Sequence, residues 1–468
     1  MSSSSTKPLK TYLQAVAKFK RSEPHAIVIG NEAADADSLI SSITYAFLRQ
    51  WQALQQPASS SSPSSSLPSP APALPALYLP VVPLASIDRR QMYLRRDVEL
   101  LLKEADLDLT HLIAFDEYVG NDASSSGSHL PGDVVLVDHN VVANVLCGVL
   151  DLDTDRQEEV GIVKEIVDHH KDEGRYMRSA VLRDIAYDAV SGNAEVASTC
   201  TLVAERYLDA ANAAALSEDI ATLLVAVIAV DSINMDPVAG KGTPRDLRAM
   251  TDLTARFPSV DRDRLFALMS NAKLDPPFWE SLTARDALEI DYKEFAGTTA
   301  PTGRRGSFRE TQFGISAVLQ VTLPRHFPLA PSRVVVPHNY ALALSTIRTH
   351  HHTAATQPAA AFLTKPDLPE ALSAYFSEPY RNHDLLAVMT FVVKPTPRRE
   401  LLFFAQTQAR MDALTAFLGK QDQLQLTAID LDAAEIGGLR VSAYAQGNVG
   451  MSRKQVAPLL TELYSLPI

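Results

Sequence analysis

Short apolar runs that stop abruptly at acidic or histidine residues restrict the fold of this 468-residue chain more than any other feature. His25 to Ile29 leads into Gly30-Asn31-Glu32-Ala33-Ala34-Asp35-Ala36-Asp37-Ser38, and Val134 to Val137 into Asp138-His139-Asn140. Glu165 to Val167 leads into Asp168-His169-His170, and the run Leu223 to Val230 ends at Asp231. Together with Ala76 to Val82 and His111 to Phe115, the shorter runs read as strands. Helical patterns follow at Ser38 to Gln52, Leu94 to Glu104, Glu195 to Asp209 and Glu218 to Val230. Strands alternating with helices predict an α/β fold, a mainly parallel sheet with helices on both faces. Ligands of such sheets gather at the carboxyl ends of the strands, where these polar residues stand.

After Asp291 the pattern changes. Strand-like runs at Ile315 to Thr322 and Leu385 to Val393 and helical patterns at Arg410 to Leu418 and Gln455 to Leu463 predict a smaller α+β domain. The expected division is 1–290, a linker over 291–310, and 311–468. Pro57 to Pro75 is almost wholly Ser, Pro and Ala, which reads as a disordered insertion, and Asn121 to Ser128 as a smaller surface loop. The first 22 residues have no acidic side chain. Their near lack of arginine argues against a mitochondrial presequence and favours a short amphipathic helix through Leu9, Leu13 and Val16. Leu223 to Val230 is too short to span a bilayer, and Cys147 and Cys200 form neither a disulfide framework nor a zinc ribbon. The expectation is a cytoplasmic protein in a reducing compartment.

Carboxylates gathered at one sheet edge repel each other unless cations lie between them. Taken singly, Asp37 or Asp231 is as readily a helix N-cap, and one buried histidine a hydrogen-bonded core residue. The combination points instead to a metal site, with Asp and His suiting Mg²⁺ or Mn²⁺ better than the thiolate chemistry of structural zinc. With 43 Lys plus Arg against 55 Asp plus Glu, the formal charge is −12, which argues against a nucleic-acid partner. Any polyanion must then be met by a local group of cations. Arg89-Arg90, Arg95-Arg96 and Arg304-Arg305 read first as solvated faces or linker, and His350-His351-His352 as a surface loop.

The ordered set of D-x-D, DHN, DHH and a later lone Asp resembles the DHH phosphoesterase superfamily. Gln446-Gly447-Asn448 and Ser452-Arg453-Lys454-Gln455 resemble the SRK segment of its type 2 associated domain. Family II inorganic pyrophosphatases, eukaryotic cytosolic exopolyphosphatases and prune proteins share that architecture. The resemblance implies two divalent ions, Mg or Mn with Co as an alternative, held by Asp35, Asp37, Asp138, His169 and Asp231, with Asp138 bridging. It implies His170 and Asp138 as catalytic residues, Asp168 and His139 as residues that orient the ligands, and Arg453, Lys454, Lys241 and Asn31 as substrate contacts. It places the active site in the cleft between the domains.

Asn31 separates the branches. Family II pyrophosphatases have a histidine directly after the glycine that ends the first strand. The pattern Gly-Asn-Glu-x-x-Asp-x-Asp is similar to exopolyphosphatases and prune proteins, as is Leu79-Pro80-Val81-Val82-Pro83 followed by Leu94-Arg95-Arg96-Asp97. The intact DHH favours a fungal-type exopolyphosphatase, which releases orthophosphate from the end of inorganic polyphosphate. A pyrophosphatase on the same scaffold and a prune-like phosphodiesterase or interaction protein are the alternatives. No membrane partner is expected.

Overall fold

In a computed structural model, the apolar runs of the N-terminal half become neighbours in one parallel sheet. The structure describes residues 7–55 except 22, 80–120, 131–142, 161–298 except 274, 276, 277, 279, 280 and 291, 310–320, 362–377, 383–392, and 398–464 except 432 and 433. The Ser/Pro insertion, the 121–128 loop, Cys147, Arg304-Arg305 and the His350 to His352 run lie outside the described residues. Contacts divide the chain into two compact units, Met1–Lys273 and Leu274–Ile468.

The first unit contains β1 (Ala26–Ile29), β2 (Val81–Ala85), β3 (Ile113–Ala114), β4 (Asp133–Val137), β5 (Val163–Asp168) and β6 (Leu182–Ile185). They form one sheet in the order β3-β2-β1-β4-β5-β6, every pair parallel. All four residues of β1 are buried, as expected for a strand covered on both faces. Ile27, Ile29, Val82, Leu84, Val134, Leu136 and Ile166 share one apolar cluster with Val16 of α1 (Pro8–Val16). The opposite face receives α2 (Ala36–Gln55): Ser42 Oγ donates to Val28 O over 2.7 Å.

Alternation along β5 explains how α2 is tied down. Ile166 packs into the apolar cluster, while its neighbour Glu165 turns to α2. There Arg49 Nη2 lies 2.7 Å from Glu165 Oε1, and the Tyr45 hydroxyl donates to Glu165 Oε2 over 2.7 Å. An ion pair this buried contributes little net stability, but removing either partner would strand a charge in the core. Its effect is to lock the helix that follows β1 onto the strand that precedes His169.

Helices α3 (Arg96–Glu104), α4 (Phe115–Val119), α5 (Thr199–Leu208), α6 (Glu218–Asp231), α7 (Pro244–Arg256) and α8 (Arg262–Lys273) complete the unit, with a short hairpin of β7 (Tyr187–Asp188) and β8 (Asn193–Ala194). Residues 76–79 of the strand expected at Ala76 to Val82 lie outside the described residues, and the described strand runs from Val81 through Pro83 to Ala85. Its neighbour β3 pairs only with Leu84 and Ala85, so Pro83 stands beside an unpaired edge, where a strand tolerates proline.

The second unit is built on a mixed seven-stranded sheet. Its strands are β9 (Lys293–Thr298), β10 (Glu310–Gln320), β11 (His383–Val392), β12 (Arg398–Ala405), β13 (Leu426–Ile429), β14 (Glu435–Ile436) and β15 (Leu439–Gln446). Only β10 and β11 run parallel. Residues 293–298, inside the stretch read as linker, form its edge strand β9. Besides α9 (Ala284–Glu289) and α10 (Leu368–Ser377), the unit has α11 (Gln408–Leu418) and α12 (Arg453–Tyr464). Leu414 and Phe417 of α11 and Val456 and Leu460 of α12 pack on Leu401 and Phe403 of β12.

One close approach positions everything that follows β1. A Cβ placed on Gly30 would lie 2.5 Å from Ser38 Cβ and 2.8 Å from Ser38 O, both on the rigid first turn of α2. Gly30→Ala is therefore expected to destabilise the protein by about 2 kcal/mol or more, read as a lower midpoint in urea denaturation with an unchanged slope.

Candidate metal centre

The strand order reverses between β1 and β4, which makes the crevice at their carboxyl ends the place where an open α/β sheet binds ligands. Ile29 pairs with Leu136 and Val137 with Val167, so Asn31, Asp138 and Asp168 leave three adjacent strands at one level. Asp138 takes a left-handed backbone conformation at φ 60°, strained for a non-glycine residue. Its amide still donates to Val167 O over 3.0 Å.

The Asp138 carboxylate is 2 % exposed and held by hydroxyl and amide donors. Ser38 Oγ donates to its Oδ2 over 2.6 Å and Asn31 Nδ2 to the same oxygen over 2.7 Å. Its Oδ1 faces His169 Nε2 at 3.4 Å and His170 Nδ1 at 3.7 Å. One potential ligand atom from each of Asp138, His169 and His170 falls within a mutual 4.8 Å. His169 Nδ1 donates to Val196 O over 3.0 Å, so in the neutral ring Nε2 carries the lone pair, on the side facing Asp138.

Asp37 enters from the first turn of α2 but is held by another helix. Ser198 Oγ, Thr199 N and Cys200 N donate to its carboxylate over 2.7, 2.7 and 2.9 Å, so the acid sits on the positive N-terminus of α5. Its Oδ2 is 3.9 Å from His169 Nε2. Burial, reinforced by the charge of Asp138, nevertheless pushes the Asp37 carboxyl up to about 7. The cap of α2 is Asp35, whose Oδ1 accepts from Ser38 N over 3.1 Å.

Asp231 is the last residue of α6, so it cannot be that helix's N-cap and stands at the end where the helix dipole disfavours an anion. Its Oδ2 is shielded from water and has no hydrogen-bond partner among the described residues. Burial first, then the charge of Asp37, raises its carboxyl well above the ordinary range, with Asp35 adding to the rise. Asp168 behaves oppositely. Burial would raise it, but the charge and hydrogen bond of His170 outweigh that and hold it far below the usual carboxylate range. Its Oδ1 accepts from His170 Nδ1 over 2.9 Å and from His169 N over 2.8 Å, while Asn140 Nδ2 donates to Oδ2 over 2.6 Å. Asp168 thus orients both histidines. His139 Nδ1 turns back to Val137 O at 2.9 Å.

These donors fit a divalent cation. Asp37 Oδ2, Asp138 Oδ1 and His169 Nε2 are acceptors aimed at one another, and Asp231 supplies a buried oxygen that nothing else satisfies. An all-oxygen and imidazole set, with Cys200 raised well above its usual range by burial, suits a hard ion and not a thiolate-bound one.

Several residues that build this centre carry no motif. Ser38, Ser198 and Thr199 act through hydroxyls, and Asp246 braces α5 by accepting from Thr201 Oγ1 over 2.6 Å and Ala197 N over 3.0 Å. Ser198 is legible only as the N-cap of α5. Lys241 is exposed in the loop before α7, and Arg453 is buried at the start of α12, where Ser452 Oγ donates to Gln455 Oε1 over 2.8 Å. Nothing is described of the Lys454 side chain. Asn31 spends its amide on Asp138 and accepts from Ala33 N over 2.9 Å. Of the described arginine pairs, Arg90 is exposed and Arg89 bonds Glu117, whereas Arg95, expected on a solvated face, is buried because its guanidinium bonds the carbonyls of Ala33 and Ala34.

Residues 25–228 match the DHH family, N-terminal domain. The chain is similar to "Exopolyphosphatase PRUNE1" of Mus musculus, 26% identical over 466 residues that cover 98% of this chain and 79% of the mouse protein. It is likewise 26% identical to "Exopolyphosphatase PRUNE1" of Homo sapiens over 462 residues, covering 98% of this chain and 80% of that one. Among solved structures, an exopolyphosphatase-related protein from Bacteroides fragilis overlays with a TM-score of 0.35 at 9% identity, covering 99% of this chain and 97% of that chain. That overlay is too loose to carry weight.

The raised Asp37 carboxyl fixes the sign of a pH effect. In the folded, metal-free protein this group keeps its proton up to about 7, whereas the unfolded chain loses it near 3.8. Its stabilising share is complete below the lower value and is lost as pH rises through the upper one. In excess EDTA the melting temperature should fall between pH 5 and 8, and Asp37→Asn should flatten that fall in the same thermal melts.

Proposed function

We propose that this chain, which carries a DHH-family domain over residues 25–228, is a phosphoesterase that releases orthophosphate from the end of inorganic polyphosphate. The observation that carries the reading is the convergence of Asp37, Asp138 and His169 acceptors at the β1/β4 switch point. Asp35, Asp37, Asp138, His169 and Asp231 would hold two ions, Mg²⁺ or Mn²⁺. Bound there, divalent ions would polarise the phosphoryl group and lower the pKa of coordinated water.

The chain's own residues supply the rest. Asp138, clasped by Ser38 and Asn31, keeps one oxygen directed to the histidines. His170 donates Nδ1 to Asp168 and is partly exposed, and its ring would contact a phosphate oxygen or pass a proton to the leaving phosphate. Asp168 and Asn140 hold that ring in place. Arg453, Lys454 and Lys241 are assigned to the substrate's phosphates, where guanidinium and ammonium groups balance the polyanion. Polyphosphate is favoured over pyrophosphate by Asn31, since an amide committed to Asp138 stands where the pyrophosphatase pattern has an imidazole ligand. The names of the PRUNE1 relatives point the same way.

Phosphate release from long polyphosphate, tripolyphosphate and pyrophosphate, each with Mg²⁺ and with Mn²⁺, tests the reading. Long polyphosphate should be hydrolysed, EDTA should abolish turnover, and Asp138→Ala should reduce it about 10²-fold or more. Turnover of pyrophosphate alone, or activity that survives EDTA, would sink it.

A further inference from the structure

Lys273 closes α8, and its Nζ lies 3.5 Å from Asp97 Oδ2, with the two side chains 22% and 10% exposed. Asp97 stands in the first turn of α3. Helix α8 packs against both α3 and α6, and α6 ends in Asp231. We infer that Lys273 is a built-in counter-charge of the metal centre, a positioning residue that Asp97 holds toward Asp35 and Asp231.

The inference rests on the cation-binding reading of those two carboxylates. Burial alone would drive the Lys273 ammonium down, yet the charges of Asp97, Asp231 and Asp35 outweigh it and raise the group. The same segment holds the other side of the centre. Arg95 Nε donates to Ala34 O over 2.8 Å and its Nη2 to Ala33 O, gripping the loop in which Ala34 has φ 45° and which leads into Asp35. Residues 95–97 thereby fix both the loop that presents Asp35 and the ammonium beside it.

A fixed positive charge that feels Asp35 and Asp231 has two effects of opposite sign. It relieves carboxylate repulsion in the metal-free protein, and it opposes the entry of divalent cations. Removing it should therefore weaken the empty site and sharpen its appetite for metal. Removing Asp97, which leaves the ammonium uncompensated, should do the reverse to metal affinity.

Calorimetric titration of Mn²⁺ into the EDTA-stripped full chain tests this, alongside melts in EDTA. Lys273→Gln should bind Mn²⁺ about tenfold more tightly than wild type and melt at a lower temperature without metal. Asp97→Asn should bind it more weakly, and Lys273→Arg should match wild type. The opposed directions exclude general loss of structure, and either of the two charge-removing variants suffices if the other does not fold. Unchanged or weaker binding in Lys273→Gln, or unchanged or tighter binding in Asp97→Asn, overturns the inference alone. No Mn²⁺ binding by wild type overturns the metal reading and the inference with it.

Discussion

Asp37, Asp138 and Asp231 are acids withdrawn from water within reach of one another's charge, and the N-terminal unit is organised around making that tolerable. Burial raises Asp37 and Asp231 because the charged form loses hydration. Three donors at the start of α5 and two at Asp138 recover part of what is lost. The rest is left to a cation. In the cation-binding reading, a site built with fewer acids would be more stable when empty and would bind metal less well, so the strain would belong to the function and not to the scaffold.

The scaffold's task is to hold acceptors where they would otherwise move apart. Gly30 lets β1 meet α2 closely enough for Ser38 to reach Asp138. The Arg49–Glu165 pair locks that helix to β5. Asp246 braces residues 197–201, and these in turn bind Asp37, while Val196 sets the tautomer of His169. Asn140 ties the end of β4 to the DHH turn through Asp168 and through Lys171 O. Apart from Gly30 against Ser38, these contacts join separate segments of the chain, so the rigidity of the centre is a property of the whole sheet and its helices.

Legibility in the sequence followed physical range. Apolar runs such as Val134 to Val137 could be read because strands buried on both faces need continuous apolar residues, and α2 and α6 because their length and period leave little choice. Strand β2 continues past the expected end at Val82 through Pro83, which is tolerable because β3 pairs only with Leu84 and Ala85. Strand β9 was taken for linker because Lys293-Glu294-Phe295-Ala296-Gly297-Thr298 lacks a clear alternation, and its place comes from pairing with β10. The acids were legible as a set, but their division of labour was not. Asp35 caps α2, while Asp37 beside it turns to α5.

By itself, the sequence determined the fold class and the chemistry at stake, because both depend on local patterns: where apolar runs stop, and which residue types follow them. Tertiary structure decided that Asp138 faces His169, that His169 Nδ1 is bound to Val196 O, and that Lys273 pairs with Asp97. Those outcomes depend on distances between segments well separated along the chain. No local rule carries that information, because the energy of a buried charge is set by everything packed around it.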